Sequence, residues 1–172
     1  DIPRYESGFA SFGNLSSFVP GWQGPDPFAF YNSFPDLADT LSLFDNRNPG
    51  LPKFPVVGDF AVGVFTGGVG YELKQTGTIP DDTKTLRFVF AGALPNVSID
   101  GRPLFVERQG LVDSGDPALP ELQYYGADVQ QFAGREATLS FNFEGSAYFR
   151  SHPQILDDIS FSSMQLIPEP SS

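Results

Sequence analysis

The chain has 172 residues, of which 40% are hydrophobic and 18 are Phe, a length and composition suited to one domain that buries its own core. It has no Cys, which excludes disulfides, thiolate metal sites and a cysteine nucleophile. With 21 acidic against 10 basic residues its net charge is −11, a surface that repels phosphate backbones, and no apolar run approaches the roughly 20 residues of a spanning helix; neither nucleic-acid binding nor membrane insertion is expected.

The chain opens at Asp1 with neither Met nor a basic start, so an export leader is expected to have been removed. The 18 Gly and 16 Pro are spread along the whole length, which suits many short strands and disfavours long helices. A loop is predicted from Ser16 to Pro27, carrying Trp22, followed by one short helix or turn from Pro35 to Phe44. Asp45-Asn46-Arg47-Asn48 reads as a solvated turn, because Arg47 occupies a ligand-type position of a calcium loop. Phe60, Val62 and Val64 share one face of a strand, and Tyr71, Leu73 and Gln75 share one face of the next. Between them Thr66-Gly67-Gly68-Val69-Gly70 reads as a hairpin turn, since it lacks the Lys and the following helix of a phosphate loop.

Leu86, Phe88 and Phe90 alternate in the next strand, and the Asp100-Gly101 pair predicts a tight hairpin over Val97 to Leu104. A second long loop runs from Gln109 to Pro120; within it Asp113-Ser114-Gly115-Asp116 reads as a solvated turn. Tyr124 and Tyr125 follow, on opposite faces if they lie in a strand. Leu139, Phe141 and Phe143 alternate in a further strand, as do Ile155, Ile159 and Phe161, whose face Asp157 shares by parity. In each pattern aromatic or β-branched residues line one side and smaller or polar ones the other. The predicted fold is therefore all-β: two antiparallel sheets packed as a sandwich over residues 1–167.

Pro168-Glu169-Pro170 directly after the last strand resembles the PEP-CTERM sorting signal of Gram-negative bacteria. In that family a membrane helix and a basic tail follow and are processed by exosortase-type machinery. Residues 168–172 would then be the start of such a signal, with helix and tail missing. The resemblance implies a secreted or cell-surface location and contact with export and sorting machinery.

A second resemblance rests on Tyr5-Glu6-Ser7-Gly8, Trp22, Asp59-Phe60-Ala61-Val62, Leu73-Lys74-Gln75, Leu86-Arg87-Phe88 and Leu156-Asp157-Asp158-Ile159. Their order is similar to the galactose-binding-like jelly rolls of carbohydrate-binding modules. That resemblance implies a structural calcium held by Glu6 and Asp157, with Asp158 as second choice. Hard oxygen ligands suit calcium, and a carboxylate aimed at an apolar face needs a partner. The alternative is that Asp157 caps backbone N–H groups, or pairs with Arg4 or Arg150.

Trp22, Tyr124 and Tyr125 are the candidate ligand-binding residues, because aromatic faces pack on the C–H surfaces of sugars. Trp22 has an alternative place packed under the first loop. No catalytic residue is assigned. His152 is the single histidine and precedes Pro153, and no Gly-x-Ser-x-Gly elbow is present. The expected function is a non-catalytic, exported cell-surface or matrix protein that binds polysaccharide through loops. The alternatives are a self-assembling structural subunit and a small jelly-roll glycoside hydrolase or lyase, since 21 acids offer many carboxylate pairs.

Overall fold

Leu86, Phe88 and Phe90 and the second alternating set, Leu139, Phe141 and Phe143, are drawn to one another, and their contact is the centre of the molecule. The computed structural model describes residues 11–25, 28–31, 40–45, 47, 57–66, 70–112, 121–144 and 154–166. In it Phe88 meets Phe141 edge to face, with ring centroids 5.2 Å apart, and Phe90 lies 6.1 Å from Phe143. All four rings are buried, each contributing about 1.5–3 kcal/mol by leaving water.

These residues belong to two stacked sheets. Among the described residues the larger has eight strands in the order β1 (Ser11–Asn14), β3 (Phe28–Tyr31), β4 (Thr40–Asp45), β5 (Phe60–Phe65), β13 (Gln154–Ser162), β7 (Thr85–Ala91), β11 (Leu122–Asp128) and β10 (Val106–Val112). The smaller has five, in the order β2 (Trp22–Gln23), β6 (Tyr71–Thr78), β12 (Glu136–Phe143), β8 (Asn96–Ile99) and β9 (Arg102–Pro103). Every pairing among the described residues is antiparallel except β3 with β4. The expected β-sandwich is formed.

Most of the predicted strand faces are observed. Val64, Tyr71, Leu73, Leu86, Phe88, Phe90, Leu139, Phe141 and Phe143 all belong to the inter-sheet core, and Phe60 and Val62 pack against it. The Asp-Gly hairpin joins β8 to β9, with φ of 50° at Asp100 and 73° at Gly101, the left-handed pair that a two-residue turn requires. Asp100 also extends the neighbouring ladder: its N–H donates to the Thr138 carbonyl, and its Oδ1 accepts from Thr138 N–H at 2.8 Å.

Four expectations are corrected. Thr40–Asp45 is a strand and not part of a helix, because Leu41 and Leu43 enter the main core while Phe44 serves a second cluster on the other face; residues 35–39 lie outside the described set. The strands on either side of the Thr66 to Gly70 stretch, β5 and β6, are not hairpin partners, since they belong to different sheets; residues 67–69 lie outside the described set. Asp45 is not in a solvated turn. It is buried and paired with Arg47 at 2.9 Å, while the Arg47 guanidinium lies 4.0 Å from the centre of the Phe60 ring.

The fourth concerns the sheet's other side. The large sheet is apolar on both faces at its centre, where Phe44, Ala61, Phe65, Val89, Ala91, Leu122 and Ile155 form their own buried cluster beside Val57. Gly63 makes room there, for a side chain at that position would collide with the Phe44 ring. Past β13 the chain runs back over this sheet. Thr85 Oγ1 donates to the Met164 carbonyl at 2.9 Å, and Leu166 rests on Gly126, where any side chain would displace it.

Candidate functional site: a cleft between the sheets

The site begins with one extra residue. Along β13, Leu156 pairs with Phe90 and Phe161 pairs with Leu86, so five steps on one strand match four on the other. The surplus is a β-bulge at Asp158, whose φ of 46° is left-handed, a region that Asp tolerates better than most side chains. Before the bulge the even-numbered residue Leu156 faces the core. After it the odd-numbered Ile159 and Phe161 do.

This corrects the parity reading. Asp157 shares a face with Ile155, as expected, but not with Ile159 and Phe161, which the bulge has turned inward. Asp157 is instead beside the second cluster, where it is 8% exposed. Its Oδ2 accepts from Val57 N–H and its Oδ1 from Asp158 N–H, the latter at 2.7 Å. Burial pushes its carboxyl up to about 6; the Val57 and Asp158 N–H groups work against that rise, and the neighbouring Asp158 charge adds to it.

The opposite wall comes from the smaller sheet. Asn14 caps a single helical turn, Leu15–Phe18, by accepting from Ser16 N–H at 3.0 Å. Val19 N–H returns to the Leu15 carbonyl, Trp22 N–H donates to the Val19 carbonyl, and Gly21 turns the chain at φ 83°. Trp22 is thereby set on the edge of β6, opposite Gln75. Its indole is half-buried, 6.1 Å from Phe141.

Between these walls opens a cleft of about 430 Å³. Trp22, Phe60, Ile159 and Phe161 give it an apolar lining, and Gln75 and Asp158 border it as polar residues. Such a cavity, apolar with a few polar groups, is the usual form of a small-ligand site.

The expected site residues are distributed as follows. Trp22 and Asp158 meet at this one cleft; Asp157 borders it but turns its carboxylate to the Val57 N–H beside the second cluster. Tyr125 does not join them: half-buried, it stacks on Phe88 at 5.6 Å at the margin of the core, and its hydroxyl donates to Gln123 Oε1 at 3.0 Å. Tyr124 lies exposed on the neighbouring position of β11, as the opposite-face reading required. Glu6, Arg4, Arg150, His152 and Pro168-Glu169-Pro170 lie outside the described residues, as does Asp113 to Asp116.

For calcium, the described residues supply two adjacent carboxylates, and both oxygens of Asp157 accept backbone N–H bonds. Six to eight oxygens are needed, and no group of three or more Asp, Glu, His or Cys occurs among the described residues. The observed partners of Asp157 are those of the capping alternative. Sequence reasoning missed Phe60, Gln75 and Phe161 as cleft residues; Phe161 had a signal, its alternation, but the bulge inverted its face.

Among the described residues no helix is long and apolar enough to cross a membrane. Comparison of the chain with protein-family models, curated proteins and solved structures gives no match.

Proposed function

We propose that the chain is a non-catalytic, exported protein of the bacterial cell surface or extracellular matrix, and that the cleft beside Trp22 holds a saccharide. The observation that carries this reading is the half-exposed Trp22 indole lining a cleft whose other walls combine Phe161 with Gln75 and Asp158. An aromatic face and flanking acceptors match the two surfaces of a pyranose, its C–H face and its ring of hydroxyls. Export and surface sorting rest on the Pro168-Glu169-Pro170 resemblance.

Retention of the protein on a polysaccharide panel tests the reading. Binding that Trp22→Ala abolishes, in a variant that still melts cooperatively, supports it. Binding unaffected by Trp22→Ala removes the cleft from the function.

Self-assembly is a second reading, favoured by one observation: among the described residues the large sheet ends in β10, a seven-residue edge with Leu111 exposed. The register shift between Arg108 and Gly110 interrupts that edge. Light scattering over a concentration series separates this from a monomeric binder.

A further inference from the structure

The segment between β9 and β10 displays Phe105 with 82% of its surface in solvent, beside an open cleft of about 620 Å³ that shares no residue with the one at Trp22. The ring is carried on a fixed support. Its neighbour Leu104 packs against the core and donates its N–H to the Val97 carbonyl at 2.9 Å. Across the cleft stand Asp128, Gln130 and Gln131, held by a single 3-10 turn, Gln130–Phe132, whose flanking Val129 and final Phe132 are fully buried.

The polar groups are acceptors and amides. Asp128 Oδ1 accepts from Gln130 N–H at 3.0 Å, leaving its other oxygen without a protein partner among the described residues. The side chains of Glu107, Gln130 and Gln131 make no hydrogen bond among the described residues. No basic residue lines the cleft.

We infer that this is a second saccharide subsite, one that takes a pyranose unit bearing no carboxylate or sulfate. The flat Phe105 ring would accept the C–H face of the sugar. Glu107 and Asp128 would accept its hydroxyls in charge-assisted hydrogen bonds, and the two glutamine amides can both donate and accept. Two uncompensated carboxylates on a protein of net charge −11 repel an acidic sugar, so neutral units and protonated amino sugars are the ligands that fit. The inference shares the saccharide reading with the proposed function but does not depend on the Trp22 cleft. Together the two sites would let one domain bridge two polymer segments.

The experiment is a calorimetric titration of the whole chain with cellohexaose, mannohexaose and the hexamer of glucosamine. Hexagalacturonate serves as the acidic probe. The expected result is binding of at least one non-acidic hexamer at a site that Phe105→Ala and Glu107→Gln each weaken by about tenfold or more, and that Trp22→Ala leaves intact. Phe105 is almost wholly exposed, so its removal leaves the fold standing, which a melting curve checks.

Loss of all binding in Trp22→Ala with none in Phe105→Ala overturns the inference and leaves the proposed function in place. The reverse pattern sustains the inference and removes the Trp22 cleft. Hexagalacturonate binding as tightly as the neutral hexamers, or no binding of any non-acidic hexamer, overturns it as well.

Discussion

The carboxylate of Asp157 accepts a hydrogen bond from the backbone N–H of Val57, one hundred residues earlier in the chain. This bond ties the approach to β5 onto β13 at the position just before the bulge. It does so with a side chain whose carboxyl burial pushes up to about 6.

The pH dependence follows from that burial. The Asp157 carboxyl is raised from 3.8 to about 6 in the folded protein. A raised carboxyl means that the folded state holds its proton more tightly than the unfolded state does. Its contribution to stability is therefore greatest below the unfolded pKa and is lost as pH rises through about 6. Between roughly pH 4 and pH 7 the wild type should lose about 1–2 kcal/mol relative to Asp157→Asn, after allowance for solvent screening. Paired denaturant titrations across that range check this; parallel curves for the two proteins would refute it.

Calcium offers an independent check on the same carboxylate. With both Asp157 oxygens engaged by backbone N–H groups, Asp157→Asn should leave the response of the melting temperature to added or chelated calcium unchanged. A calcium-dependent rise that disappears in Asp157→Asn would instead make this carboxylate a cation ligand.

The bulge predicts an unusual order of damage at position 158. Asp158→Gly should alter stability by no more than about 0.5 kcal/mol, because Gly adopts the left-handed φ freely. Asp158→Val should cost about 1–2 kcal/mol, a β-branched residue being strained there. Deleting the residue should cost at least about 3 kcal/mol, since Ile159 and Phe161 would turn to the wrong face. Chemical denaturation of the three variants gives the ranking.

At Gly63 the added methyl is the test. Gly63→Ala should destabilise by about 1–3 kcal/mol, because the Phe44 ring occupies the space and sits in a fully buried cluster with little room to yield. The compensating pair Gly63→Ala with Phe44→Leu should recover part of that loss. Thermal melts suffice.

The Asp100 side chain is predicted to matter as an acceptor as well as for its backbone. Asp100→Asn keeps both the left-handed preference and the oxygen for Thr138 N–H, and should be close to neutral. Asp100→Ala loses both and should cost about 1–2 kcal/mol. Hydrogen exchange at the Thr138 amide would localise the effect.

The local rules were readable where they concern one strand at a time. The inward faces of β5, β6, β7 and β12 and the Asp100-Gly101 turn follow from alternation and from one dipeptide. Leu41 to Phe44 was not readable as a strand, because the Leu41-Ser42-Leu43 alternation is only three residues long and Phe44 breaks it by facing the second cluster. The cleft was half legible: Trp22 and Asp158 were singled out, but Phe161 and Gln75 were not, and Tyr125 packs on Phe88 away from it.

What the amino-acid order settles alone is that this chain makes short amphipathic strands in two layers, since side-chain alternation and turn chemistry act within a few residues. Only the tertiary structure decided that β7 lies between β13 and β11, and that the large sheet has a second apolar face. It alone revealed that an extra residue at Asp158 turns Phe161 toward Trp22. A bulge exists only in relation to the strand beside it, and strand order depends on contacts between residues far apart in the chain. Neither leaves a mark in any short window of sequence.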